Sequence, residues 1–333
     1  MSGTRPARPW LFPLNPLYRL ALAGRELRLR AGWEQVLRLR FPVISIGNLS
    51  TGGAGKTPFT IAMAKALTAR GYDVDVLSRG YRRKDRGTAR VKPAGTADEF
   101  GDEPLLIARE AGVPVYVAAQ RYQAGLLAET APDCDDRMRV HILDDAFQHR
   151  QLHRDLDILL LNREDWRGSL LPSGNLREPL SAVFRADVIV IPESENALES
   201  ELRKAGWGGP VWRLRRRMEV PQPGGPAFAF CGIARPEQFF AGLESSGVRV
   251  AGRFSFRDHH CYTVADLERI QSVARSSGAV ALITTAKDRV RLAPLTFELP
   301  ILTAGLRIEI GDQDAALDWL AHRLAGKAAC PPL

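Results

Sequence analysis

From residue 41 onward, short apolar runs alternate with longer stretches of helical spacing. The runs at 41–46, 74–77, 113–117, 140–143, 157–161 and 188–191 read as strands. Between them, 57–70, 103–110 and a stretch ending near Glu129 read as helices. Strands alternating with helices predict an α/β protein built on a doubly wound, mostly parallel sheet. Residues 206–226, rich in Gly, Pro, Trp and Arg, are expected to connect two lobes. Beyond them, apolar runs at 228–231, 248–250, 279–284 and 301–303 again alternate with helical stretches. The expected organisation is therefore an N-terminal segment over 1–40, a larger lobe over 41–205, the connection, and a smaller α/β lobe over 227–333.

The N-terminal segment has a different pattern. Asn15-Pro16 marks a helix start, an N-cap residue followed by proline at the first helical position. Leu17, Leu20, Ala21, Gly24 and Leu27 then share one face, with Arg19, Glu26 and Arg30 opposite and Arg25 and Arg28 intruding. Upstream, Trp10, Leu11, Phe12 and Leu14 stand among prolines. A basic segment bearing Leu and Trp suits a membrane interface, where arginines meet anionic head groups. An ordinary helix packed on the body with solvated arginines is the alternative.

Charge sharpens the contrast. The 333 residues carry a net +8, of which residues 1–40 hold +6 from eight arginines and two glutamates. The rest is nearly balanced, whereas a nucleic-acid groove would spread basic residues over the fold, so no nucleic-acid partner is expected. Apolar content of 45% and charged content of 25% are ordinary for a globular protein. Cys134, Cys231, Cys261 and Cys330 form no CxxC pair, which argues against a zinc site or disulfide framework. No run of eighteen apolar residues and no continuous signal-peptide core occur, so a cytoplasmic protein touching a membrane surface is expected.

The chemistry begins at residues 46–57. A predicted strand leads into Ser50, Thr51, Gly52, Gly53, Ala54, Gly55, Lys56 and Thr57, which open a predicted helix. That is the setting of a phosphate-binding Walker A loop, and it makes the fold P-loop NTPase-like. Backbone N–H groups and the helix N-terminus favour phosphate oxygens, Lys56 reaches the β- and γ-phosphates of ATP, and the Thr57 hydroxyl ligates Mg2+. Ser50 stands where the strict pattern has glycine, and a ligand-free strand-to-helix turn is the alternative. Asp144 and Asp145 end the strand at 140–143, as the second metal-binding carboxylate site requires. Spacing does not decide which of them binds the ion.

Taken together, GNLSTGGAGKTP (47–58), LSRGY (77–81), GDEP (101–104), DDAFQHR (144–150), LPSGNLREP (171–179), GIARPEQF (232–239), DHH (258–260) and TTAKD (284–288) form an ordered set. In this the chain resembles the tetraacyldisaccharide 4'-kinases of lipid A biosynthesis. The resemblance implies transfer of the ATP γ-phosphoryl to the 4'-hydroxyl of an acylated glucosamine disaccharide 1-phosphate. It also implies two α/β lobes with the site between them, at the cytoplasmic face of the bacterial inner membrane. Residues 10–30 would then contact the anionic membrane surface.

The resemblance further implies Asp102 as catalytic base, helped by His259 from the second lobe. A histidine neighbour can orient a carboxylate or share its proton. Otherwise Asp102 would cap a helix and His259 and His260 would lie in a surface loop. Arg177 and Glu178 resemble further site residues, an arginine for phosphate oxygens and a glutamate supporting the metal, or else a surface ion pair. Arg79 and Tyr81 are candidates for the acceptor sugar or its phosphate. Lys287-Asp288 shares letters with the base-reading NKxD of GTPases but lacks its asparagine, and a strand-end turn is expected there. The rival functions are a P-loop GTPase or ATPase switch of the metal-chaperone type, and a nucleotide-binding scaffold without transfer activity.

Overall fold

The apolar runs become strands, several of them buried along their whole length. They are β1 (Val43–Asn48), β2 (Asp73–Ser78), β3 (Ala89–Arg90), β4 (Val115–Val117), β5 (Arg139–Leu143), β6 (Leu156–Leu160) and β7 (Val188–Pro192). They continue as β8 (Val211–Glu219), β9 (Ala227–Cys231), β10 (Val250–Ser255), β11 (Ala281–Thr285) and β12 (Ile301–Ile310). The helices are α1 (Asn15–Arg30), α2 (Lys56–Ala69), α3 (Ala97–Phe100), α4 (Asp102–Ala111), α5 (Arg121–Glu129) and α6 (Arg163–Trp166). They are completed by α7 (Asn196–Lys204), α8 (Pro236–Ser245), α9 (Val264–Ser276), α10 (Ala286–Arg291) and α11 (Gln313–Ala328). These come from a computed structural model that describes residues 8–52, 55–131, 138–292 and 297–328.

Among the described residues the strands form one sheet, in the order β10-β9-β11-β12-β8-β7-β6-β1-β5-β2-β4-β3. Neighbours are parallel except β8 with β12 and β3 with β4. Alternate strand residues feed opposite layers. Leu156, Ile158 and Leu160 pack with α2 and α4, whereas Leu159 and Leu161 pack with α7. The doubly wound α/β expectation therefore holds.

The join between the lobes is itself a strand. Within 206–226, β8 pairs in parallel with β7 and antiparallel with β12. β12 is long enough to serve both halves: Thr285 of β11 lies opposite Ala304, and Glu219 of β8 lies opposite the next residue, Gly305. The carboxyl ends of the two half-sheets thus meet at one point on β12. Ligands of open α/β sheets gather at the carboxyl ends of strands, so the loops of both lobes face a shared cleft.

One boundary needs correction. Residues 227–333 were expected to form the second lobe, yet α11 returns to the first. Its Ala316, Leu317, Leu320 and Leu324 join Phe59, Met63 and Leu67 of α2 in one core. Arg70 ties the two helices outside, with Nη1 to Asp318 at 2.6 Å and Nη2 to Asp314 at 2.7 Å. The cause is β12, which carries the chain past the lobe boundary before α11 begins.

Toward the amino ends of the interior strands β2 and β5 lies a buried ionic cluster. His141 has no exposed surface; its Nδ1 is 2.7 Å from Asp75 Oδ1, and its Nε2 is 3.3 Å from Glu129 Oε1. Arg139 donates to the other Asp75 oxygen at 3.0–3.1 Å. Burial disfavours the imidazolium, but the carboxylates of Asp75 and Glu129 outweigh it and raise His141 to about 9. A folded value above the unfolded 6.5 means stabilisation that is complete below pH 6.5 and lost as pH rises through 9. We therefore expect the thermal midpoint to fall by several degrees between pH 6.5 and 9, and His141→Gln to flatten that slope while lowering the midpoint at pH 6. Calorimetry over this range checks it; an unchanged slope in the variant would show that another group sets the pH dependence.

Candidate active site

The phosphate loop rises from the carboxyl end of β1. Gly52 and Gly55 take positive φ of 116° and 82°, a region that disfavours residues with a Cβ. Gly53 and Ala54 lie outside the described residues. Asn48, the last residue of β1, organises the turn: its Oδ1 accepts from Lys56 Nζ at 3.0 Å and its Nδ2 donates to Ser50 Oγ at 3.0 Å. Lys56 also lies 3.6 Å from Asp145. Thr57 stands in the first turn of α2, and Thr60, one turn on, donates to Asp144 Oδ1 at 3.0 Å.

The 171–179 segment buttresses this loop as a short antiparallel partner. Thr51 N–H donates to Asn175 O at 2.8 Å and Arg177 N–H to Leu49 O at 2.7 Å. Gly47 allows the 144–150 loop to pack tightly, since a Cβ there would sit 2.6 Å from Phe147 Cβ. Asp145, itself at φ 47°, accepts from Arg177 at 3.0–3.3 Å.

The acid pair is electrostatically split. Burial pushes both carboxyls up. For Asp145 the cations Lys56 and Arg177 outweigh burial and hold it low, with Arg121 adding to them. Asp144 is raised to about 7 by burial and by the negative charges of Glu103 and Asp145. The two carboxylates are hard oxygen donors whose charges repel one another, the donor chemistry that suits a small divalent cation. Glu178 is not brought to them. Successive side chains of an extended segment point to opposite sides, so Arg177 on Asp145 leaves Glu178 directed at Arg185, 2.5 Å away.

Across the cleft, Asp102 opens α4 and is 6% exposed. Its Oδ2 lies 2.8 Å from His259 Nδ1 and accepts from Arg291 Nε at 3.1 Å. Burial raises its pKa, but the His259 hydrogen bond and the Lys287 and Arg291 charges bring it down to about 2. The expected pair of Asp102 and His259 is thus formed, from residues 157 positions apart. His260 turns away, stacked on Phe256 and bonded to Asp266. Tyr81, 54% exposed, meets the His259 ring edge-on at 5.7 Å, and Arg79 is exposed beside it in sequence.

Sequence reasoning missed three basic residues. Arg121 is buried, donates to the Asp145 carbonyl at 3.3 Å, and has a buried Nε without a partner among the described residues. Desolvation lowers it to about 10. Lys287 and Arg291 both reach the Asp102–His259 pair, although only Asp288 behaves as the expected turn residue, bonding Thr285, Gly232 N–H and Tyr262. The available signal was their spacing of four, which puts both on one face of a helix.

The N-terminal helix grips this site. Tyr18 donates to Arg177 O at 2.8 Å, Arg25 to Gln148 O, and Glu26 accepts from Arg150. Asn15 departs from its expected capping role. A 3-10 turn over Pro9–Leu14 precedes the helix, and the Asn15 side chain donates instead to Ser173 Oγ at 2.6 Å. The apolar stripe is the outer face: Leu17, Leu20 and Leu27 are more than 60% exposed, as are Trp10 and Phe12. The helix is packed on the body, as the alternative expected, but through Asn15, Tyr18, Arg25 and Glu26 rather than through that stripe. No described helix is long and apolar enough to cross a membrane.

Comparison with known proteins follows this geometry. The sequence model of the family described as tetraacyldisaccharide-1-P 4'-kinase matches residues 7–325. A tetraacyldisaccharide 4'-kinase of Koribacter versatilis is 41% identical over 320 residues, covering 92% of this chain and 96% of its own. One of Gluconacetobacter diazotrophicus is 39% identical over 327 residues, covering 96% and 91%. A solved structure of the Aquifex aeolicus member, described as a complex with ATP, superposes with a TM-score of 0.77 at 33% identity, covering 95% of this chain and 99% of that one. On matches of this extent, the chain belongs to the tetraacyldisaccharide 4'-kinase family.

Proposed function

We propose that this protein transfers the γ-phosphoryl group of ATP to the 4'-hydroxyl of a tetraacylated glucosamine disaccharide 1-phosphate, in lipid A biosynthesis. The observation that carries the proposal is the opposition, in one cleft, of the Lys56 loop and the Asp102–His259 pair. A nucleotide-hydrolysing switch has no acceptor alcohol to orient and no use for that second pair.

The loop N–H groups and Lys56 hold the β- and γ-phosphates, and Arg177 gives further positive charge to the transferring group. Thr57 and Asp144 hold Mg2+, because the Asp145 oxygens already serve Arg177 and Lys56; bound there, the ion neutralises phosphate charge. Asp102 accepts a hydrogen bond from the acceptor hydroxyl and takes its proton as the new P–O bond forms and the bond to ADP breaks. A carboxylate near 2 is a weak base. It serves a loose transition state, in which the proton leaves late and orientation matters more than basicity. Arg79, Tyr81 and the buried Arg121 suit the sugar and its 1-phosphate. Glu178 acts by holding Arg185.

The acceptor is a lipid, and the outward stripe of α1 supports a peripheral seat on the cytoplasmic face of the inner membrane. Trp10, Phe12, Leu17, Leu20 and Leu27 enter the interface, while Arg19, Arg28 and Arg30 meet anionic head groups. The bonds from Tyr18, Arg25 and Glu26 then set the catalytic loops at the depth of the head group.

A radiolabelled-ATP assay with the acylated disaccharide 1-phosphate in mixed micelles, with and without Mg2+, tests the activity. Label should appear on the disaccharide only with the metal present. Preference for GTP with no acceptor labelling would favour the switch protein instead. We expect Lys56→Ala to abolish turnover and Asp102→Ala to lower it by about two to four decades; full activity in the latter removes Asp102 from the mechanism. Replacing Leu17, Leu20 and Leu27 together by Ser should reduce co-sedimentation with anionic vesicles while leaving the fold intact, because all three are exposed. Unchanged co-sedimentation would dismiss the anchor.

A further inference from the structure

Asp102 and His259 are not alone in the cleft. Lys287 Nζ lies 3.1 Å from His259 Nε2, 3.2 Å from Glu103 Oε1 and 3.9 Å from Asp258. Arg291, one turn later on α10, donates from Nε to Asp102 Oδ2 at 3.1 Å and from Nη1 to the carbonyls of Gly232 and His260 at 3.1 and 3.3 Å. A lysine ammonium can only donate. His259 Nε2 must therefore be the acceptor, and the ring proton must sit on Nδ1, where it faces Asp102.

We infer that Lys287 is a positioning residue for the phosphoryl transfer: its ammonium holds the Nε2 lone pair of His259, fixes the Nδ1–H tautomer, and thereby keeps a donor on Asp102, whose carboxylate Arg291 aims. Asp102, Asp258, Lys287 and the Tyr81 ring face the imidazole, and Arg82 holds its backbone carbonyl at 3.1 Å. Asp102 already favours a proton on Nδ1 at 2.8 Å, and Lys287 adds the second half of the constraint by occupying Nε2, which Asp258 at 3.9 Å does not reach and which would otherwise be free to take up a proton.

The device also links the base to lobe closure. α10 follows β11 of the second half-sheet, yet its Val290 is buried in the core of the first lobe. Lys287 and Arg291 can reach the α4 residues Glu103 and Asp102 only with that side chain seated. Arg235 to Glu164 at 2.8 Å is a further bond across the cleft.

This inference rests on Asp102 as the base, and the experiment separates the two. Lys287→Met should lower kcat about ten- to hundredfold while KM for Mg-ATP stays within about twofold, and Lys287→Arg should recover most of the loss. Nitrogen-15 NMR of histidine-labelled protein, with His259 assigned by its loss in His259→Gln, should show Nδ1–H with a bare Nε2 in the native protein and protonation appearing on Nε2 in Lys287→Met. A native spectrum with the proton on Nε2, or Lys287→Met turning over within about threefold of the native rate, overturns the proposal. If the methionine variant does not fold, the native tautomer decides. Should Asp102→Asn remain fully active, the base assignment itself fails; an inactive Asp102→Asn beside an active Lys287→Met sinks only the role of Lys287.

Discussion

The backbone ladder of β12 is the constraint on which the site depends. Its first half pairs with β11 and its second half with β8, so two half-sheets share a single strand. Because Ala304 and Gly305 are consecutive, the carboxyl ends of β11 and β8 cannot drift apart without breaking the ladder. Strand ends are where loops leave a sheet and where backbone groups are free to bind ligands. The phosphate loop after β1 and the histidine loop after β10 are thus aimed at one another by hydrogen bonds that neither loop makes. A flexible linker between the lobes would leave that aim to chance, and a strand does not.

Charge balance is the second constraint, and it explains why the cleft is so heavily paired. Bringing Asp102, Asp144, Asp145, Glu103, Lys56, Arg177, Lys287 and Arg291 together strips water from each, which is costly unless each finds a partner. Most have one: Lys56 and Arg177 on Asp145, Arg291 on Asp102, Lys287 on Glu103. Asp144 has only the neutral Thr60 hydroxyl, and its raised pKa records the imbalance. Arg121 shows the opposite sign of the same condition, a buried cation with an orphan Nε. One site wants a cation and the other an anion.

What the sequence revealed follows the same division between local and distant physics. Most strand runs, the turn before Lys56 and the acid pair after Leu143 are local patterns that appear near where expected, whereas β8 lies in the segment expected only to connect the lobes. Asp102 with His259 spans 157 positions, and only resemblance to a family, not spacing, could pair them. The role of Lys287 was hidden for a related reason. Its partner Glu103 is 184 positions away, and the TTAKD segment reads as a turn because Thr285 does cap α10, accepting from the Asp288 N–H. Glu178 failed differently: the residue type was right, but an extended backbone allows only one of two neighbours to face the site. The membership of α11 in the first lobe depended on the length of β12, and boundaries of that kind have no local signature.

The N-terminal helix shows how one face can be legible while its direction is not. Periodicity identifies the stripe of Leu17, Leu20 and Leu27, but a stripe is equally consistent with burial against the body. What decides is the other face. Tyr18, Arg25 and Glu26 are committed to Arg177, Gln148 and Arg150, so the polar side is the docked side and the apolar side is turned out. That inversion leaves an exposed apolar face, the kind of patch that marks an interaction surface. It also means that the helix is no detachable anchor. Gln148, gripped by Arg25, donates to Asn48 O, and Asn48 holds Lys56. Arg25 on the docked face of the helix and Lys56 of the phosphate loop are therefore three hydrogen bonds apart, so a displacement of the helix is felt at the phosphate loop.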